Sequence, residues 1–321
     1  MSLTFLISSF AHAFNGDENP TASPRTLCNT AENGIRTARR RNEVKAFQKD
    51  TVLASHRDAI LRKAMKQYHL NVTKDDVGSY VIMPGDPKRV QKIARFLNNP
   101  IEVGNNREYC TYTGTLEGEK VSVVSSGIGG PSTAIAVEEL RQLGVHTIVR
   151  TGTCGLLQPD MKRGDIVIAT GCYRGGATAN AYVPVNFPAI ADFGLVATLC
   201  RVADEKGVRY RAGIIESKDA FFLETPQALP MHEAAESYWK VLQRAGVLAT
   251  EMESDTLFVV ALLRGIRAAS VLCGIGSHNG VADMTPMSEE EVERHAYLAV
   301  ETLRRTIKDD RNKSSRAFSC I

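Results

Sequence analysis

From about residue 79 to residue 307, short apolar runs alternate with amphipathic stretches of helical period, and this alternation most constrains the fold. Residues 79–84 (Ser-Tyr-Val-Ile-Met-Pro) read as a buried strand. Pro87 to Leu97 follows as a helix, with Val90, Ile93, Ala94 and Leu97 on one face. Glu108–Leu116 and Lys120–Ser125 form a hairpin around Glu117-Gly118-Glu119. Helices are expected over Thr133–Leu143, Ile190–Glu205, Tyr238–Ala245, Thr256–Arg264 and Ser288–Ile307, the last opened by a capping box, Ser288-Glu289-Glu290-Glu291. Further strands are expected over Thr147–Arg150, Asp165–Thr170, Gly213–Ile215, the apolar run leading to Glu251, and Ala268–Cys273. Strands alternating with helices over about 250 residues predict an α/β fold, a three-layer α/β/α sandwich with a central mixed, mostly parallel sheet.

The flanks differ from this body. Residues 14 to about 50 are rich in Asn, Arg, Thr and Pro without apolar periodicity. A poorly ordered extension over 1–55 is therefore expected, then one domain over 56–310 and a charged tail over 311–321. Leu3 to Ala13 is apolar and ends in Ala11-His12-Ala13, like a signal-peptide cleavage site, but it lacks a basic n-region. The seven cysteines are scattered, without a CxxC pair or metal-ligand spacing, and suggest reduced thiols in a cytoplasmic protein. Lys+Arg 39 against Asp+Glu 36 leaves a net charge of +3. The basic clusters at 36–41 and 304–316 are not a continuous stripe, so no nucleic-acid partner is expected. No membrane partner is expected either, since no run is long and apolar enough to span a bilayer.

Chemistry is suggested first by Glu251-Met252-Glu253, two carboxylates flanking a methionine where an apolar run meets a helix. Carboxylates are rarely buried without a partner. A vicinal diol is a natural one, because a carboxylate accepts from both hydroxyls, and Met252 would lie beneath a sugar ring. The plain alternative is two solvated acids at a helix N-terminus, where the helix dipole favours negative charge. Three loops after apolar strands suit an anion: Pro84-Gly85-Asp86-Pro87 with Arg89, Ser125 to Ser132 with its glycines, and Arg150-Thr151-Gly152-Thr153-Cys154-Gly155. None has P-loop or dinucleotide spacing, and each alone is compatible with a tight turn. Two arginines and a threonine hydroxyl beside them fit a tetrahedral oxyanion such as free phosphate.

In combination these motifs resemble the nucleoside phosphorylase-I family. Gly85-Asp86-Pro87-Lys88-Arg89-Val90, the Gly-Ile-Gly-Gly-Pro-Ser run with Glu138-Glu139-Leu140, Arg150 with Gly152-Thr153, and Glu251-Met252-Glu253 occur in the family's order. Phe187 to Phe193 and Arg107-Glu108-Tyr109 are most similar to its uridine phosphorylase branch, and the similarity covers roughly residues 66 to 308. The resemblance implies phosphorolysis of a pyrimidine nucleoside, uridine and phosphate giving uracil and ribose 1-phosphate. It implies phosphate as co-substrate, no required cofactor, and a homo-oligomer, either a dimer or a trimer of dimers.

Site roles follow from the same resemblance. Gly85, Arg89, Arg150 and Thr153 would bind phosphate, with Arg107 reaching in from a neighbouring subunit. Glu253 and Met252 would hold the ribose, and His69 would cross the interface to its 5′-hydroxyl. Phe221 would stack on the base, and Glu108, Ile128 and Ser132 match a site where some relatives hold a cation between subunits. Arg150 and Glu253 are thus the expected catalytic pair, and Arg150→Ala is expected to remove activity while sparing the fold.

The base pocket departs from the branch. Its Gln-x-Arg pair after the stacking phenylalanine is incomplete, since Gln227 is followed two residues later by Leu229. Gly276-Ser277-His278 stands where a second arginine would be, and where purine-directed relatives place an aspartate; the nearest acid is Asp283. A purine nucleoside phosphorylase remains the alternative substrate class, and a non-catalytic nucleoside-binding protein the alternative of another kind. A nucleosidase, using water, would not need both Arg89 and Arg150.

Overall fold

The computed structural model describes residues 65–224, 229–277, 285 and 287–318. The extension over 1–55, the signal-like run at Leu3–Ala13, Gln227, His278 and Asp283 lie outside the described residues.

The sheet contains β1 (Tyr80–Pro84), β2 (Asn98–Asn106), β3 (Tyr109–Leu116), β4 (Glu119–Val124), β5 (Thr147–Leu156), β6 (Ile166–Arg174), β7 (Ala189–Ile190), β8 (Tyr210–Ser217), β9 (Ala249–Glu251) and β10 (Arg267–Ser277). Its helices are α1 (Pro87–Ala94), α2 (Gly130–Gln142), α3 (Phe193–Glu205), α4 (His232–Arg244), α5 (Ser254–Arg264) and α6 (Glu289–Phe318). The strand order is β10-β6-β8-β9-β5-β1-β4-β3-β2, with β7 on β6 and β10 also on β5. The pairings β5–β10–β6–β8–β9–β5 therefore close a ring at one side of the sheet, and the remaining strands extend from β5. Pairing is mixed: five parallel contacts and five antiparallel ones among the described strands.

Strand period two sends alternate side chains to opposite faces, and the core divides accordingly. Val81, Met83 and Ile148 pack with α2 and α5, through residues such as Val137, Leu140, Leu257 and Phe258. Tyr80, Ile82 and Val149 pack on the other side with α1, α3 and α6, through Ile93, Leu199, Leu298 and Leu303. These are the three layers. A smaller cluster of Leu157, Trp239, Leu242 and Val247 ties α4 to the ring.

Local chemistry sets several boundaries. Asp86 caps α1 by accepting the Lys88 N–H, with Pro87 at the first helical position. Asp192 caps α3 through the Leu195 N–H, so that helix starts at Phe193 and Ile190 belongs to β7. The Ser288 capping box forms as expected: Ser288 Oγ accepts the Glu291 N–H at 3.1 Å, and the Glu291 carboxylate accepts the Ser288 N–H at 2.8 Å. The turn between β3 and β4 has positive φ at both Glu117 and Gly118, the conformation a two-residue hairpin needs.

Three differences from the sequence reading stand out. Asn98–Asn106 is a strand, although Asn-Asn-Pro-Ile-Glu-Val-Gly-Asn-Asn lacks alternation. It is an edge strand with two register shifts, where proline and polar residues are tolerated. The stretch Arg150 to Gly155, expected as a loop, continues β5, because β10 pairs with it residue by residue from Thr147 to Cys154. Helix α6 runs on to Phe318, taking in most of residues 311–321, with Arg311 Nη2 donating to the Glu117 carbonyl at 2.6 Å.

Candidate active site

The first two expected loops are joined to one another by backbone hydrogen bonds. Ser126 N–H donates to the Pro84 carbonyl at 2.9 Å and Gly127 N–H to the Gly85 carbonyl at 3.1 Å. Gly127 has φ +72°, and a Cβ there would lie 2.6 Å from Glu108 Cγ, so glycine is required on both counts. Beside these loops Arg150 rises from β5 and is 3% exposed. Its Nε donates to Glu251 Oε2 at 3.1 Å and its Nη2 to Glu253 Oε2. Nη1 is buried without a hydrogen-bond partner among the described residues, and it lies 3.8 Å from where a Cβ on Gly85 would stand.

The two carboxylates of the opening motif are buried, not solvated, and they do different work. Glu251 Oε1 accepts from Ser217 Oγ and from the N–H groups of Glu253 (3.0 Å) and Ser254 (2.8 Å) at the start of α5. Burial pushes its pKa up, but Arg150, Ser217 and those N–H groups outweigh burial and hold it below the ordinary glutamate value. It anchors the helix start. Glu253 accepts from Arg150 and from the Gly129 N–H at 2.6 Å. Burial raises its pKa, Arg150 offsets this only in part, and the negative charge of Glu251 adds to the rise. Burial alone would lower the Arg150 pKa; Glu253 and Glu251 more than compensate, so it remains a cation.

These groups line a cavity of about 660 Å³. Gly85, Arg89, Arg150, Thr153, Met252, Glu253, Phe221, Glu108 and Ile128 all contribute to its wall, so nine sequence-predicted positions converge on one space. Arg89 sits 3.9 Å from Asp86, and burial lowers its pKa. Three other positions are elsewhere. Arg107 is exposed at the tip of the β2–β3 hairpin with φ +55°, His69 Nδ1 bonds Glu139 Oε1 at 2.7 Å, and Ser132 Oγ donates to the Ile128 carbonyl at 2.9 Å. Glu108 and Ser132 both flank Gly127. Among the described residues no group of three or more His, Cys, Asp or Glu side chains is arranged to hold a metal ion.

Beyond Phe221 the sequence reading missed the far wall. Lys218 is 2% exposed, and its Nζ donates to Glu224 Oε1 and to Thr250 Oγ1, both at 2.7 Å. Lys218, Glu224 and Thr250 all face the cavity. Thr250 Oγ1 in turn donates to Glu216 Oε2, whose other oxygen accepts from Tyr238 at 2.9 Å. A lysine immediately after the strand ending at Ser217 was the one available signal, and no periodicity distinguishes it from a solvated loop residue.

Residues 79–309 match the family described as Phosphorylase superfamily. A uridine phosphorylase of Treponema pallidum (strain Nichols) is 44% identical over 246 residues, 76% of this chain and 95% of the relative. A guanosine phosphorylase of Halorubrum lacusprofundi is 39% identical over 206 residues, 64% of this chain and 81% of the relative. The crystal structure of a uridine phosphorylase from Vibrio fischeri ES114 superposes with TM-score 0.67 at 29% identity, covering 76% of this chain and 99% of that one.

Proposed function

Since this chain belongs to the phosphorylase superfamily, we propose that it catalyses the phosphorolysis of uridine to uracil and ribose 1-phosphate. The uridine phosphorylase of T. pallidum is matched over more of its length and at higher identity than the guanosine phosphorylase, which favours the pyrimidine.

The observation that carries the chemistry is Arg150. It is a buried cation held by two carboxylates, with one guanidinium nitrogen directed at the Gly85 loop. Phosphate bound by Gly85, Arg89, Arg150 and Thr153 attacks C1′ while the base leaves from the opposite side, through an oxocarbenium-like transition state with inversion. Glu253 accepts from the ribose hydroxyls and places negative charge near the developing cation, with Met252 against the sugar and Phe221 against the base. Glu253 is the carboxylate suited to this, because Glu251 is committed to the start of α5.

Arg107 and His69 act across an interface between copies of the chain, in a dimer or a trimer of dimers. Glu108, Ile128 and Ser132 supply oxygens for a cation there only when doubled by a second copy. Gln227 adds an amide to the base pocket. Phosphate is the co-substrate, and no cofactor enters the reaction. The five cysteines among the described residues are unpaired, which supports placement in the cytoplasm. Over the described residues no helix is long and apolar enough to cross a membrane.

Ultraviolet absorbance of uridine with and without phosphate tests this. Phosphate-dependent loss of the nucleoside is expected. Phosphate-independent turnover would make the protein a hydrolase, and no turnover of uridine, thymidine or inosine would make it a nucleoside-binding protein.

A further inference from the structure

The far wall of the cavity contains an ion pair that the phosphate and ribose chemistry does not use. Lys218 carries three N–H donors. Two are committed, to Glu224 Oε1 and to Thr250 Oγ1, and the hydroxyl proton of Thr250 is itself committed to Glu216. The ammonium is therefore held in one place by a directional chain, with its third donor left over in a side chain 2% exposed. The Nζ also lies 5.9 Å from the ring centroid of Trp239.

Glu224 is complementary. It accepts from Lys218 with Oε1, while Oε2 stands 3.3 Å from where a Cβ on Gly155 would be. The carboxylate thus lies against the Gly155 backbone in the cavity wall. The turn carrying it, Phe221–Glu224, is pinned from behind by Trp239 Nε1 donating to the Leu223 carbonyl at 2.9 Å. A fixed donor beside a fixed acceptor, in a cavity that Phe221 also lines, has a specific chemical complement: a ring carbonyl beside a ring N–H.

We propose that Lys218 and Glu224 read the lactam edge of the base, Lys218 donating to O4 of uracil and Glu224 accepting from N3–H. This rests on the phosphorolysis proposed above. Cytosine presents the reverse pattern, an amino group at position 4 and a lone pair at N3, so both contacts become repulsive. A site built around such bonds rejects the mismatched base by roughly 10⁴-fold. Guanine carries the same carbonyl and N–H edge, which accommodates the guanosine phosphorylase among the relatives.

Lys218 then has a second consequence for rate. When the C1′–N1 bond breaks, its electron pair leaves with the base, and the charge spreads over N1, O2 and O4. A cation donating to O4 stabilises that anion as it forms. The anion takes up one proton, and the new phosphate ester sheds one, so the overall reaction balances without another reactant.

Steady-state phosphorolysis with uridine, cytidine, 3-methyluridine and 5-fluorouridine tests this in the full chain. The wild type is expected to take uridine and 5-fluorouridine and to reject cytidine. Lys218→Met should lower kcat for uridine by about 100-fold. It should lower kcat for 5-fluorouridine far less, because fluorine already stabilises the departing anion. Glu224→Gln should shrink the preference for uridine over 3-methyluridine, which lacks the N3–H. If Lys218→Met does not fold, the double variant K218M/E224Q removes both charges together and is put through the same comparison of leaving groups. Equal losses on uridine and 5-fluorouridine, or wild-type turnover of cytidine as fast as uridine, would overturn the base-reading pair while leaving phosphorolysis intact. A wild type inactive on every nucleoside would remove both.

Discussion

The cavity has two halves, each built around a buried ion pair, and the pairs differ in what surrounds them. Arg150 stands on the central strand β5 between two carboxylates whose side chains are 2% and 7% exposed. Lys218 stands just beyond β8 and meets one carboxylate, Glu224, on a short turn where it is 16% exposed. The first arrangement is fixed by the sheet and the start of α5. The second is fixed by a chain of hydroxyl and carboxylate hydrogen bonds. Loss of the ion pair built into the sheet is expected to cost more stability than loss of the pair at the turn, where the proposed base-reading groups lie.

Removing each cation breaks this comparison most severely. Arg150→Ala is expected to cost on the order of 10³-fold in kcat/KM, from lost phosphate contact and lost positioning. It should also cost roughly 3–5 kcal/mol of stability, because Glu251 and Glu253 are left as unpaired buried charges. The expectation from sequence that the fold is spared is therefore revised. Arg150→Lys, which keeps the charge but loses the planar fork, should be the more stable of the two and still impaired. Urea unfolding of Arg150→Ala and Lys218→Met should show the larger loss at Arg150. An Arg150→Ala protein as stable as wild type would mean that its carboxylates become protonated or hydrated at little cost.

Arg89 sharpens the contrast within the first half. It is more exposed than Arg150, and its ion-pair partner Asp86 is as far as 3.9 Å away, with Glu253 a further acidic neighbour. Arg89→Gln should leave the fold intact and raise the KM for phosphate by roughly 10- to 100-fold, the worth of one charge-assisted hydrogen bond. The KM for uridine should be nearly unchanged. A rise in uridine KM alone would move Arg89 out of the phosphate subsite.

The halves also differed in how far they could be read from the chain. Gly85, Arg89, Arg150, Thr153, Met252 and Glu253 occur in short runs whose backbone fixes where the side chains go, and all six reach the same cavity. Lys218 and Glu224 are six residues apart with nothing repetitive between them. They meet because a single 3-10 turn over Phe221–Glu224 folds back, and Trp239 on α4 holds it. No local pattern specifies that contact. The same holds for β2, whose residues form a strand because β3 offers them a ladder. β5 extends past Gly152 for a related reason, since β10 pairs with it throughout.

Behind each half lies a buried carboxyl group with its pKa raised to about 7, Asp255 two residues beyond Glu253 and Glu216 hydrogen-bonded to Thr250. Desolvation is the main cause in both, with Glu251 adding to the rise. Between about pH 4 and 7 the folded form holds a proton on Asp255 that the unfolded chain has released. Stability therefore falls as pH rises through that window, and the penalty is complete above about 7. Asp255→Asn removes it, so the variant should gain stability of order 1 kcal/mol at pH 8 and little at pH 4. Glu216→Gln should gain less, because both Glu216 oxygens accept hydroxyl donors that an amide satisfies only in part. Urea midpoints at the two pH values check both. A pH-independent effect of Asp255→Asn would show that this carboxyl is already ionised in the folded protein.

The smallest expected effect separates two adjacent aromatic residues on the base side. Phe221 and Phe222 stand edge to face, with centroids 5.5 Å apart, but only Phe221 is among the residues lining the cavity, and Phe222 is 71% exposed. Stacking of a base on one ring is worth about 0.5–1.5 kcal/mol. Phe221→Ala should therefore raise the KM for uridine by up to about tenfold and leave the KM for phosphate alone. Phe222→Ala should change neither by a measurable factor. Equal effects of the two substitutions would mean that the turn responds as a unit, and that the base half is held more rigidly than its position on a turn implies.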